Sequence, residues 1–295
     1  MVIGDKATLS GLMLGVGAYV LWGVLPLYLR LLNGVPALQI VAHRVLWSLL
    51  LLAVIVVVFG RVRSLRAAAR GRTLALLAAS AVLIAINWLV YIWAVQHQHI
   101  LDASLGYFIN PLVNVALGMV LLKERLRRWQ GIAVAIAGTG VVVAAVGGQS
   151  LWISLTLAAS FGLYGLLRKV AAIEALEGLT VETLLLAPIC LALLIYTGAN
   201  GQAAFGADRG IDVLLILAGA VTAAPLLMFA AAARKLRYST LGLLQYIAPT
   251  LQFLQAVLLF GEKMQPGQFV VFALIWAGCA VYAWDSLRAA REVRP

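Results

Sequence analysis

His43 and Arg44 stand inside an otherwise apolar stretch, residues 38–59, and carry the most conspicuous chemical capacity in the chain. A charge placed at the centre of a bilayer costs about 2.5–3.5 kcal/mol on insertion scales, so a partner or a wet cavity is expected around it. A carboxylate is the natural partner for the planar arginine fork, and His43 beside it is able to exchange a proton. A plainer reading also fits: Arg44 snorkels towards water or pins Asp102 or Glu262. Amides form two further stripes, Gly106, Asn110 and Asn114 at i, i+4, i+8, and Gln245, Pro249 and Gln252 at i, i+4, i+7. Asn87 and Tyr91 lie one helical turn apart with Trp88 between them, and Trp22 (with Tyr19) and Tyr164 (with Phe161) complete an aromatic set. Aromatics with a polar handle suit an amphipathic ligand, and they suit a membrane interface equally. The amides also suit interhelical bonding at ~0.6–2 kcal/mol each. Two matching stripes in separate halves of the chain favour a cavity.

The absences narrow the chemistry. There is no zinc-binding HExxH helix, no P-loop and no nucleophile elbow, so neither an enzyme nor ATP-driven transport is expected. His97 and His99 read as a solvated outer loop without a carboxylate or cysteine partner, and neither a metal nor a cofactor is expected. Cys190 and Cys279 both fall inside apolar stretches and read as small buried hydrophobes. All eleven acidic residues fall in loops or near the ends of apolar runs, among them Asp102, Glu124, Glu182, Glu262 and Asp285. Coupling through a buried acid is therefore not expected, which leaves His43 as the titrating group or an uncoupled carrier.

The elements that must position these side chains are membrane spans. With 64% of its 295 residues hydrophobic and only 11% charged, the chain is too apolar for a soluble core. It reads as an all-α integral membrane protein. Ten spans are expected, near 9–31, 38–59, 74–96, 103–122, 130–147, 151–170, 181–198, 211–233, 239–260 and 267–286, with 151–170 the most polar. The first span lacks a cleavage site and is expected to remain. A net charge of +11 comes from basic residues in short loops, which signals topology and not nucleic acid. With the N-terminus inside, eighteen Lys and Arg fall on the inner side against Arg30, Arg209 and Lys263 outside, so both termini are expected to be cytoplasmic.

The chain also repeats itself. Pro111 and Pro249 are 138 positions apart, as are Glu124 and Glu262, and Tyr91 and Phe229. Five spans per half is an odd number, so residues 149–295 should enter the membrane inverted relative to residues 1–148. Such repeats underlie alternating access about a central site. Pro111 and Pro249 each remove a backbone bond. They serve either as hinges, about which the third to fifth and eighth to tenth spans rock, or as static kinks.

The motifs AHRVLWS (42–48), NWLVYIWAV (87–95), ASLGYFINPLVNV (103–115) and LGLLQYIAPTLQF (241–253), with Glu124 and Glu262, resemble the RarD-like branch of the EamA, or drug/metabolite transporter, superfamily. The resemblance covers nearly the whole chain. It implies ten helices in two inverted halves of a bacterial inner membrane. It also implies export of small metabolites, with amino acids, notably aromatic ones, and related drugs as substrates; RarD-like proteins carry a chloramphenicol label. By the same resemblance Trp22, Asn87, Tyr91, Asn110, Asn114, Tyr164, Gln245 and Gln252 line a central cavity, while His43 and Arg44 belong to the branch's own motif. The expectation is a carrier of small amphipathic molecules in the lipid bilayer, with monomer and homodimer both open. Its rival is a non-transporting sensor or assembly subunit whose polar stripes only pack helices.

Overall fold

The computed structural model describes residues 2–68, 70–123, 127–147, 151–171, 173–236 and 238–292, so Glu124 lies outside the described residues. Among these the chain is helical, with no strand. The helices are α1 (Val2–Gly23), α2 (Leu25–Leu31), α3 (Ala37–Val58), α4 (Val62–Ala68), α5 (Gly71–Gln96), α6 (Ile100–Leu122) and α7 (Arg128–Val146). They continue as α8 (Trp152–Ala171), α9 (Ala175–Ala199), α10 (Arg209–Ala233), α11 (Tyr238–Leu244), α12 (Ile247–Leu254) and α13 (Pro266–Glu292). Nine segments of the described residues are long and apolar enough to cross a membrane. The expected span 151–170 forms as α8 but is not among them, because Arg168 and Lys169 in its last turn, with Ser154, Thr156, Ser160 and Tyr164, dilute its apolar content. It packs chiefly on α5 and α6, and its Ser154 and Ser160 are buried.

Proline explains where the helices break. Pro26 cannot donate to the carbonyl four residues back, that of Trp22, and the first span divides at Val24 into α1 and α2. Pro249 likewise frees the Gln245 carbonyl, and a turn at Gln245–Tyr246 separates α11 from α12. A π-helical turn, Gln255–Leu259, distorts the same span again. Pro111, by contrast, lies inside the unbroken α6. The two prolines therefore occupy different local structures despite their matching sequence positions.

The heaviest packing pairs are α7–α13, α5–α8, α6–α8, α3–α10, α3–α9, α1–α10 and α1–α12. Exchanging each span with the one five later turns α5–α8 into α10–α1, and α6–α8 into α12–α1. It leaves α7–α13 and α3–α9 paired with each other. The α7–α13 crossing uses small residues. A Cβ on Gly278 would lie 2.8 Å from the Ala133 carbonyl oxygen, and one on Gly140, 138 positions earlier, would lie 3.2 Å from Leu274 Cβ. Gly131 and Gly138 have no such neighbour among the described residues. Gly278→Val should therefore push α13 off α7 and destabilise the protein by about 1–3 kcal/mol. Thermal unfolding followed by fluorescence-detected size exclusion would register the loss, and Gly138→Ala serves as the neutral control.

Candidate functional site

Arg44 is the centre of the polar interior. It is only 4% exposed, on the buried face of α3. Its Nε donates to Thr222 Oγ1 of α10 at 2.9 Å, and its guanidinium lies over the Trp88 ring at 4.8 Å. Tyr28, Tyr91 and Tyr107 all stand within electrostatic range of the charge. It pins neither Glu262 nor Asp102, which instead pairs with His99 at 3.0 Å, one helical turn away, and so gives that histidine the carboxylate partner it was not expected to have. Its Nη1 has no hydrogen-bond partner among the described residues.

The tyrosines extend this centre into α5, α6 and α8. The Tyr91 ring packs on Tyr107 at 5.6 Å, and the buried Tyr91 hydroxyl has no partner among the described residues. Tyr107 donates to Asn87 Oδ1 at 3.0 Å, and Asn87 Nδ2 donates to Leu157 O and Ser160 Oγ of α8. Asn87 is thus satisfied by helix packing, which fixes the Tyr107 hydroxyl. Tyr107 continues to Phe161 at 6.1 Å and Phe161 to Tyr164 at 5.9 Å, whose hydroxyl donates to Glu182 Oε2 at 3.4 Å. Asn110, one turn beyond Tyr107, is buried with its Oδ1 unpartnered among the described residues.

A second cluster gathers around the broken first span. Trp22 packs with Tyr19 at 5.4 Å and Phe229 at 5.9 Å. Gln252 Nε2 donates to the Trp22 carbonyl that Pro26 frees, at 3.1 Å, and Gln255 Nε2 donates to Gly23 O at 2.7 Å. These amides compensate a helix break, which is the packing role the sequence left open for Gln252. Gln252 Oε1 nonetheless stays buried without a partner among the described residues.

Other expected residues are placed elsewhere. His43, next to Arg44 in sequence, stacks on Phe205 at 5.2 Å and so belongs to the loop before α10, not to the tyrosine layer. Asn114 is exposed: eight residues along a helix rotate its side chain about 80° from Gly106. Gln245 donates to Gly242 O of its own span at 2.9 Å. Tyr107 and Thr222 were missed as site residues. Glu182 overturns the expectation that acids stay near span ends, because α9 begins at Ala175 and buries it two turns deep at 0% exposure. Two apolar grooves of about 390 and 400 Å³, lined around Phe108 and Tyr246 and around Leu89 and Trp152, touch none of the polar centre.

The two ends of the bundle differ in charge. At the basic end Glu174 pairs with Arg61 and Arg234, and Glu177 with Arg61. At the other end the Glu262 carboxylate accepts from Ile100 N and Leu101 N, both at 2.8 Å, capping α6 across more than 160 residues of chain. Burial pushes the Glu262 carboxyl above its usual range, against those two N–H bonds, while Asp102 raises it further and His99 lowers it. A carboxyl raised on folding binds its proton more tightly in the folded state, so its contribution to stability is lost as pH rises through the folded value. Wild type should therefore gain stability relative to Glu262→Gln between pH 7 and pH 5, as thermal melts at both values would register.

The comparisons match this architecture. Residues 9–146 match the EamA-like transporter family. "Uncharacterized transporter PA0485" of Pseudomonas aeruginosa is 48% identical, with 96% of each chain covered. "Protein RarD" of Escherichia coli is 45% identical over 97% of this chain and 98% of its own. A solved structure titled "Crystal structure of protein" aligns with a TM-score of 0.63 at 18% identity, covering 94% of this chain and 98% of its own, which speaks for the fold alone. The chain is a multi-pass bacterial membrane transporter and belongs to the EamA-like, or drug/metabolite transporter, family as a RarD-like member.

Proposed function

We propose that this transporter is an uphill or downhill exporter of small amphipathic metabolites, neutral or aromatic amino acids and related drugs such as chloramphenicol, working by alternating access in the inner membrane. The observation that carries the reading is the pair of buried atoms Arg44 Nη1 and Tyr91 OH, unpartnered among the described residues, within one aromatic layer. Leaving buried polar groups unpaired costs about 1–3 kcal/mol each, so a site that keeps several is suited to a ligand that pairs them. A substrate carboxylate would meet Arg44 and Tyr91, its amide-binding groups Asn110 and Gln252, and its apolar part Trp22, Tyr107 and Tyr164. The basic end, with Arg61, Arg168 and Arg234, faces the cytoplasm together with both termini. Residues 1–148 and 149–295 act as inverted halves, a division supported by the packing pairs that exchange with each other. They rock about α6 and the α11–α12 break, with Pro111 and Pro249 as the hinge prolines.

Counterflow into preloaded proteoliposomes, with a panel of radiolabelled amino acids and chloramphenicol, tests the reading. Saturable exchange of aromatic or neutral amino acids is expected. Exchange confined to a class without a carboxylate would remove the role given to Arg44 and the substrate class with it.

A further inference from the structure

Glu182 is a carboxylate with 0% exposure, and its position is not arbitrary. It sits seven residues into α9, as Arg44 sits seven residues into α3, and the two are 138 positions apart, the offset of Pro111 and Pro249. At helical rise each is ~10 Å from its own helix start. The chain thus places one buried cation and one buried anion at equivalent points of its two halves. They are joined by a run of aromatic contacts: Arg44 to Tyr91 electrostatically, Tyr91 to Tyr107, Tyr107 to Phe161, Phe161 to Tyr164, and the Tyr164 hydroxyl to Glu182.

We propose that Glu182 is the proton-binding site through which substrate export is coupled to the proton gradient. This rests on the carrier reading above and adds its coupling ion. Ser80 Oγ of α5 donates to Glu182 Oε1 at 2.5 Å and Tyr164 OH to Oε2 at 3.4 Å. Hydroxyls accept as well as donate, so the same two partners satisfy a protonated carboxyl, whose O–H donates to one of them. The site is therefore bonded in both states, which an arginine-locked structural acid is not. Arg168 of α8 is the charged group facing it, with Nη1 at 3.7 Å, beyond hydrogen-bond reach, while Nη2 is held by the Glu174 and Ala175 carbonyls.

The other charges near α9 are engaged elsewhere. Glu177 pairs with Arg61, and Glu174 with Arg61 and Arg234. Arg63 and Arg66 of α4 and Arg72 of α5 are exposed. On α3 Arg44 bonds Thr222 and His43 stacks on Phe205. On α10 Asp212 accepts from Gly206. Proton uptake weakens the pull on Arg168 and turns the Tyr164 hydroxyl from donor to acceptor, so occupancy is transmitted to the aromatic layer where substrate binds. The coupling is reciprocal: substrate binding must favour proton release by the same factor.

Proteoliposomes carrying a one-unit pH gradient read this directly. One-for-one exchange of a proton for a neutral substrate sustains about a tenfold concentration ratio, since 1.4 kcal/mol is tenfold. Wild type is expected to reach about tenfold accumulation. Glu182→Gln, which resembles the protonated carboxyl, is expected to keep counterflow at equal pH and to accumulate nothing. Tenfold accumulation by Glu182→Gln would overturn the proposal and leave the carrier standing, as would wild-type counterflow that ignores the gradient. A folded Glu182→Gln without counterflow would also overturn it, assigning the carboxylate to substrate. Absence of wild-type counterflow for every compound would instead sink the carrier reading, and the proposal with it. Should Glu182→Gln fail to fold, Ser80→Ala keeps the carboxylate but removes its 2.5 Å donor. It should displace the pH midpoint of transport, and an unchanged profile contradicts the proposal.

Discussion

Replacing Arg44 with methionine is expected to leave a folded protein that transports about a hundredfold more slowly. The guanidinium is buried over Trp88 and donates to Thr222 Oγ1. Losing one member of a buried charge pair costs about 2–5 kcal/mol at the ligand-bound stage. At 1.4 kcal/mol per tenfold, that brackets the expected fall. Stability should move the other way. An arginine held without an anion is a liability, and an apolar side chain of similar length packs on Trp88 without it. Arg44→Lys should fall between, because it keeps the charge but loses the planar stacking. Counterflow rates beside thermal melts decide the matter. A methionine variant that melts early would make Arg44 a structural residue.

Tyr91→Phe separates ligand binding from packing more sharply. The hydroxyl is buried and has no partner among the described residues, while the ring packs on Tyr107. Deleting an unpaired buried hydroxyl should raise stability by about 1 kcal/mol. The same deletion removes one donor to substrate and should lower transport efficiency about tenfold. A more stable and less active protein is the signature of a ligand group. Lower stability with unchanged transport would mean that the hydroxyl serves the fold.

The fold was legible because its determinants are local and strong. Long apolar runs, short basic loops, and prolines that free the Trp22 and Gln245 carbonyls all act over a few residues of chain. The polar span expected at 151–170 forms as α8, and its Ser154 and Ser160 are buried through contacts with α5 and α6 that no window of sequence displays. Glu182 was hidden for a related reason. Glu177 interrupts the apolar run and Glu182 lies only one residue inside the expected span 181–198, so it read as a span-end acid, whereas α9 begins at Ala175 and Ser80, distant in sequence, bonds Glu182 two turns in. Adjacent residues were also read together too readily. His43 and Arg44 are neighbours in sequence but 100° apart on a helix, so one meets Phe205 and the other Trp88 and Thr222. Tyr107 lies in the same motif as Asn110 and Asn114. The tyrosine in fact joins Tyr91 to Asn87.

The central claim is that the Arg44–Tyr91 layer receives a carboxylate. Ligand-induced stabilisation of the purified protein tests it most directly, using an aromatic amino acid, its amide and its decarboxylated amine side by side. The account expects a saturable rise in melting temperature with the amino acid only, and none in Arg44→Met. Equal stabilisation by the amine, retained in Arg44→Met, would contradict it.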